Sequence, residues 1–136
     1  MASGGCITSD FGERFSTSGN TMKFILLMYN NETLWNRMTK AEQDAAVDRL
    51  MKFSEQLSAA GKLILTQGLA PGVEAVSIRP GPDGERVVTD GPYVETREVA
   101  GGYYIIECAS RDEAIAWGRR LPLASWGVEV RRIHVE

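Results

Sequence analysis

Residues 89–98 read T-D-G-P-Y-V-E-T-R-E and gather the groups best able to do chemistry. Asp-Gly-Pro forces a turn there. Asp90 can accept from the backbone ahead, Gly91 can take unusual angles, and Pro92 removes a donor and fixes the chain's direction. Asp90, Glu95 and Glu98 are thereby crowded just past a strand end, and crowding of like charges raises the pKa of one carboxylate toward the range general acid–base catalysis uses. Asp90 and Glu95 are the candidate acid–base groups on this reading. A second reading makes the segment a rigid turn whose carboxylates are neutralised by Arg79, Arg97 or Arg131; at this point both stand.

Aromatic residues supply candidate walls for a ligand: Tyr93 within the same turn, Tyr29 at the end of the first strand, and Trp35 in the loop that follows it. Trp126 can also stack a planar molecule, whereas Trp117 falls on a helical stripe and reads as core. Other chemistries are poorly supplied. The single histidine, His134, lies near the end of the last strand and reads as an edge residue, which leaves Ser-His-Asp and Cys-His sites without a base. The two cysteines, Cys6 and Cys108, lack metal-ligand spacing, so no metal site and no cofactor are expected. Cys108 lies in an apolar strand and reads as an inert buried thiol. Gly101-Gly102 opens a strand instead of a helix and so lacks the helix terminus of a phosphate loop.

The elements that must position these groups belong to one domain of ordinary composition. The chain has 136 residues, 43% hydrophobic and 24% charged, which suits a folded core without staples. A formal charge of -3 gives no basic footprint, so neither nucleic acid nor an anionic membrane is an expected partner. The longest apolar run, residues 24–29, is far shorter than the roughly 20 residues of a membrane-spanning helix. The two thiols and the absence of a secretory leader point to the cytoplasm.

Residues 1–21, rich in Ser, Gly and Thr, read as an extension: an expression-derived leader, a flexible tail or an arm docked on a partner. The domain spans residues 22–136. Residues 23–29 form a strand with Phe24, Leu26 and Met28 on one face and Ile25, Leu27 and Tyr29 on the other. Residues 39–60 form a helix opened by a Thr39–Glu42 capping box and stopped at Gly61. Its buried stripe is Ala46, Val47, Leu50, Phe53, Leu57 and Ala60. Strands are expected at 63–66, 74–79, 86–89, 102–108 and 129–135. A hairpin turn lies at 81–84, with Gly84 at positive φ. A second capping box, Ser110 with Glu113, opens a helix that Pro122 ends.

The order is β-α-β, an inserted β-hairpin, then β-α-β, which predicts a ferredoxin-like split βαβ of the α+β class with both helices on one face. The first strand's other apolar face then needs a cover. A second copy supplies one, and a homodimer with facing sheets follows.

The decapeptide at 89–98 resembles the D-G-P-F-A-E-T-K-E signature of DGPF-domain proteins within the YCII-related superfamily. The similarity extends to Tyr29 with Glu32, Ala60-Gly61-Lys62-Leu63, Leu69-Ala70-Pro71, Gly101-Gly102-Tyr103-Tyr104, Asp112 to Trp117, Leu121-Pro122 and Val128 to Arg131, covering about residues 22–135. It implies a dimeric α+β barrel. Some members are proposed enzymes with a His and an Asp in a cleft, and some DGPF-type genes lie beside extracytoplasmic-function sigma factors. The histidine position of the YCII branch corresponds here to Leu50, which leaves that pair incomplete. Tyr93 replaces the usual Phe and adds a hydroxyl.

Two functions follow as expectations. One is a small-molecule-binding protein or cofactor-free enzyme, with a cleft between sheet and helix, Asp90 and Glu95 as acid–base groups, and Tyr29, Trp35 and Tyr93 as walls. The other is a non-catalytic dimer that binds a protein partner in sigma-factor-linked regulation.

Overall fold

The structure is a computed structural model that describes residues 21–94, 97–124 and 126–134. Residues 1–20, with Cys6 and nearly all of the expected extension, lie outside the described residues, as does Glu95. Strand β1, Met22–Asn31, is central because alternate residues suit two different surroundings. Phe24, Leu26 and Met28 are buried, whereas Ile25, Leu27 and Tyr29 remain partly exposed. Strands β2 (Leu63–Gly68), β5 (Glu98–Cys108) and β6 (Trp126–Arg132) join it in one antiparallel sheet of order β2-β5-β1-β6. Strands β3 (Val76–Pro80) and β4 (Arg86–Asp90) form a separate two-stranded sheet among the described residues. The result is the expected ferredoxin-like α+β arrangement carrying a hairpin insertion.

Helix α2, Lys40–Ala59, begins as its sequence predicts: Thr39 accepts from the Glu42 N–H at 3.1 Å and Glu42 returns the bond to the Thr39 N–H at 2.8 Å. Helix α3, Arg111–Arg120, makes half of its expected box. Ser110 accepts from the Glu113 N–H, but the Glu113 carboxylate reaches one residue further back, to the Ala109 N–H at 2.7 Å. There it also meets Lys62 at 3.0 Å, tying the helix to the start of β2. The two helices share one sheet face, where Phe53, Leu57, Ala114, Trp117 and Leu121 pack on Phe24, Leu26, Tyr104, Ile106 and Cys108. Burial pushes the Cys108 thiol up to about 11, as suits an inert core cysteine.

Three expectations are corrected. The segment after β1 is helix α1, Glu32–Arg37, in place of a loop; Asn31 caps it by accepting from the Leu34 N–H at 3.1 Å. The last strand spans Trp126–Arg132, so His134 lies beyond it. Its earlier start brings Val128 into the strand, where it packs on the core beside Val130. Val47 and Ala60 of the predicted buried stripe are exposed, and Leu50 is only partly buried. No helix among the described residues is long and apolar enough to cross a membrane.

Candidate functional site

Two recesses meet at the loop of Leu69, Ala70 and Pro71, near the strand ends beside α1. The first is a cleft of about 590 Å³ between α2 and the sheet. Its helical wall is Val47, Leu50, Met51 and Ser54, facing Tyr104 and Trp126 across the gap, with Trp35 at one end. Short backbone devices place these groups. The Trp35 carbonyl accepts from the Met38 N–H at 3.1 Å and from Gln43 Nε2 at 2.8 Å, which seats α1 against α2. A bulge between β1 and β5 leaves Gly101 unpaired, because Met28 faces Gly102 while Tyr29 faces Ala100. A β-carbon at Gly101 would overlap the Trp126 ring, so glycine at the bulge is what admits the indole. Inside the cleft the Ser54 and Tyr104 hydroxyls lie 2.9 Å apart.

The second recess is an open groove of about 800 Å³ beside the Asp-Gly-Pro turn. Tyr29, Tyr93 and Pro92 line it together with the carboxylate-bearing residues Glu74 and Glu98. The turn is rigidly held. Gly91, at φ +106°, donates to the Ala75 carbonyl and accepts from the Ser77 hydroxyl, each at 2.7 Å. Arg79 donates to the Tyr93 carbonyl and stacks over the Tyr93 ring at 4.1 Å.

The sequence-predicted residues are therefore distributed. Tyr29 and Tyr93 come together in the groove, and Trp35 lines the cleft. Asp90 is exposed and lines neither recess, and its side chain makes no hydrogen bond or ion pair among the described residues. Glu95 lies outside them. Glu74 escapes the sequence reading, which makes it the first residue of a strand; in the structure it closes a short 3-10 turn at Gly72–Glu74 and the strand starts at Val76. Leu69, Ala70 and Pro71 line both recesses, so one loop forms the partition between them.

The sheet face opposite the helices carries Ile25, Leu27, Tyr103 and Ile105, all partly exposed. At its β6 border the Tyr29 hydroxyl donates to Glu129 at 3.2 Å and Arg131 Nε donates to Glu129 at 2.8 Å. Partial burial and then the Glu129 carboxylate raise the Tyr29 pKa, while the Arg131 hydrogen bond holds Glu129 below the usual carboxylate range.

A family model described as YCII-related domain matches residues 22–135. An uncharacterized protein of Rhizobium meliloti (strain 1021) is 36% identical over 104 residues, which cover 76% of this chain and 83% of that one.

Proposed function

We propose, starting from a chain that belongs to the YCII-related domain family, that the cleft between α2 and the sheet binds a small molecule and that the protein works as a homodimer. One observation carries the ligand reading. Val47 and Leu50 sit at stripe positions that periodicity assigns to the core, yet they border a space of about 590 Å³. Protein interiors leave few voids larger than a water molecule, whereas ligand sites are apolar concavities of a few hundred Å³ with a few polar groups. Leu50 is also the position where the YCII branch carries histidine, which puts an apolar wall where those relatives have a base.

Asp90 and Glu95 enter this reading as proposed acid–base groups, with Tyr29 and Tyr93 as walls of the groove across the shared loop. The homodimer is supported by the apolar row Ile25, Leu27, Tyr103 and Ile105, which the chain's own helices do not cover. The free, buried Cys108 thiol supports a cytoplasmic location.

A ligand that binds the folded state raises its stability with concentration. A screen of uncharged fragments by thermal shift, repeated on Val47→Trp, tests the site. Hits that stabilise the parent protein and lose their effect in Val47→Trp are expected; hits unaffected by filling the cleft would refute it. Sedimentation equilibrium tests the assembly, and a monomer at micromolar concentration would sink the dimer.

A specific feature favours the second reading, a protein-binding module. Val76, Ile78 and Val88 share one face of the β3–β4 hairpin and are all exposed. A double Ile78→Glu, Val88→Glu variant that leaves solubility and assembly unchanged would remove its support.

A further inference from the structure

Strand β4 is exposed at every residue from Arg86 to Asp90 and pairs with β3 along one edge. Among the described residues no strand pairs with its other edge. A free edge is a row of N–H and C=O groups open to another chain, and proteins usually blunt it with proline, lysine, a bulge or a cover. β4 contains neither proline nor lysine, and its ladder with β3 runs without a register shift. The chain that follows returns to β3: Gly91 bonds Ala75 and Ser77, and the Tyr93 carbonyl accepts from Arg79. A two-stranded hairpin is marginal alone, and further strands are what stabilise it.

Residues opposite one another across the ladder share a face. The face with Val76, Ile78 and Val88 therefore also carries Arg86, opposite Pro80, and Asp90, opposite Val76. Each charge thus faces a residue that cannot neutralise it. Neither charged side chain has a hydrogen bond or ion pair among the described residues. They cannot reach each other, because four residues of strand separate them by about 13 Å. Between them Val88 is 62% exposed, and Ile78 beside it is 56% exposed.

A second β4 laid antiparallel about Val88 answers both the free edge and the unpaired charges. Arg86 then lies opposite the partner's Asp90, Val88 opposite the partner's Val88, and Asp90 opposite the partner's Arg86. Opposite charges and branched apolar residues are both favourable cross-strand pairs. The two-fold axis makes the charge pairs reciprocal, as an isologous interface requires. A slip of two residues, the smallest that keeps the faces aligned, loses both of them.

We propose that the free edge of β4 pairs antiparallel with β4 of a second copy of this chain, joining two hairpins into one four-stranded sheet. This rests on the hairpin being a protein-binding surface and names its occupant. The contact is separate from the facing-sheet interface, so a chain that uses both assembles beyond the dimer.

An interface of one short strand a side belongs to the weak class, so sedimentation equilibrium at up to about 1 mM protein measures it. Arg86→Asp and Asp90→Arg each set like charges opposite one another at both ends of the pair. Each should weaken association about tenfold or more. An equimolar mixture of the two variants regains two opposite-charge pairs and should associate within about threefold of the parent, as should the double variant. In a Cys6→Ser background, Val88→Cys should form an intermolecular disulfide faster than Glu85→Cys, because facing β-carbons lie about 5 Å apart.

A parent protein that stays monomeric throughout, or an association that neither single swap weakens, overturns the proposal. So does a mixture that associates no better than its components, or cross-linking through Val88→Cys no faster than through Glu85→Cys. Should a single swap not fold, the double variant and the disulfide decide. The Ile78→Glu, Val88→Glu variant keeps two failures apart. If it alters assembly while the charge swaps do not, this pairing is wrong and the hairpin remains a binding surface; if neither alters it, both readings fail.

Discussion

Gly101→Ala tests whether the cleft is built by the bulge of β5 as described. The new methyl would overlap the Trp126 ring and approach Asn30 Cβ at 3.3 Å. The Trp35 ring, edge to face with the indole at 6.2 Å, limits its room to retreat. The Gly101 carbonyl also accepts from the Leu69 N–H at 3.0 Å, so a backbone shift would loosen the loop between the two recesses. Overpacking of this kind costs about 1–3 kcal/mol. Alanine reduces the freedom of the unfolded chain and returns about 0.4–1 kcal/mol of that. A net loss of about 1–2 kcal/mol is expected, or a fall in Tm of about 3–8 °C for a domain of this size. Urea unfolding of the parent protein, Gly101→Ala, Trp126→Leu and the double variant, at one protein concentration, measures it. If the ring is the obstacle, the cost of Ala should shrink by about 1 kcal/mol once Trp126 is Leu. Costs that simply add, within about 0.5 kcal/mol, would refute the contact.

Three further outcomes are expected. Asp90→Asn should leave the protein folded and within about 0.5 kcal/mol of the parent, since the Asp90 side chain is exposed and unpaired among the described residues; if Asp90 is an acid–base group, ligand turnover is lost with stability retained. Cys108 should resist alkylation in a Cys6→Ser background until the protein unfolds, because its pKa of about 11 leaves little thiolate near neutrality; rapid labelling of the native state by iodoacetamide contradicts this. Glu113 is held below its usual range by the Ala109 N–H and then by Lys62, so its stabilisation is present above the ordinary carboxylate pKa and lost as pH falls through the folded value. The Lys62 pKa is raised by Glu113, so that side of the pair persists until pH rises through its folded value. Glu113→Gln should therefore cost about 0.5–1 kcal/mol at neutral pH and progressively less on acidification; a cost independent of pH would show the charge to be idle.

Much of the fold is written in short-range signals. The Thr39 box, the Gly84 turn at φ +82° and the two-sided pattern of β1 each act within a few residues, and each appears as read. The split βαβ order then leaves few ways to join the strands. The misses share a cause: their signals are weak or depend on distant partners. Helix α1 is only six residues long, too short for periodicity to reveal, although Asn31 before Glu32 is a legible cap. The start of β6 depends on a tight turn in which Ala124 takes φ +47° and the Trp126 N–H bonds the Leu123 carbonyl. Nothing in Ala124 announces that conformation. The β3–β4 hairpin, legible from its turn and as an insertion in the split βαβ order, does form its own sheet, while β5 pairs with β1 and β2.

The candidate site was legible only as a set of residue types. Periodicity marks Val47 and Leu50 as inward-facing, but it cannot tell a packed interior from a cleft, because both want apolar walls. Trp126 stood out as an aromatic, while its place depends on how α1, β5 and β6 pack around it. The Asp-Gly-Pro turn shows how the two scales connect. Ser77 and Ala75 grip Gly91, and a β-carbon on Gly72 would lie 3.0 Å from the Pro92 ring. The Gly72 N–H in turn bonds Glu32, which lines the cleft. A chain of contacts thus runs from the turn through Gly72, the residue after the Leu69–Pro71 partition, to Glu32 in the other recess. The rigidity of Gly91-Pro92 therefore bears on the cleft as well as the groove. A Pro92→Ala variant would loosen the Gly72 end of that chain while leaving every charge in place. Perturbation of the Trp126 and Trp35 indole resonances by that change, across the partition, is what the connection requires; unmoved resonances would confine the turn's influence to its own recess.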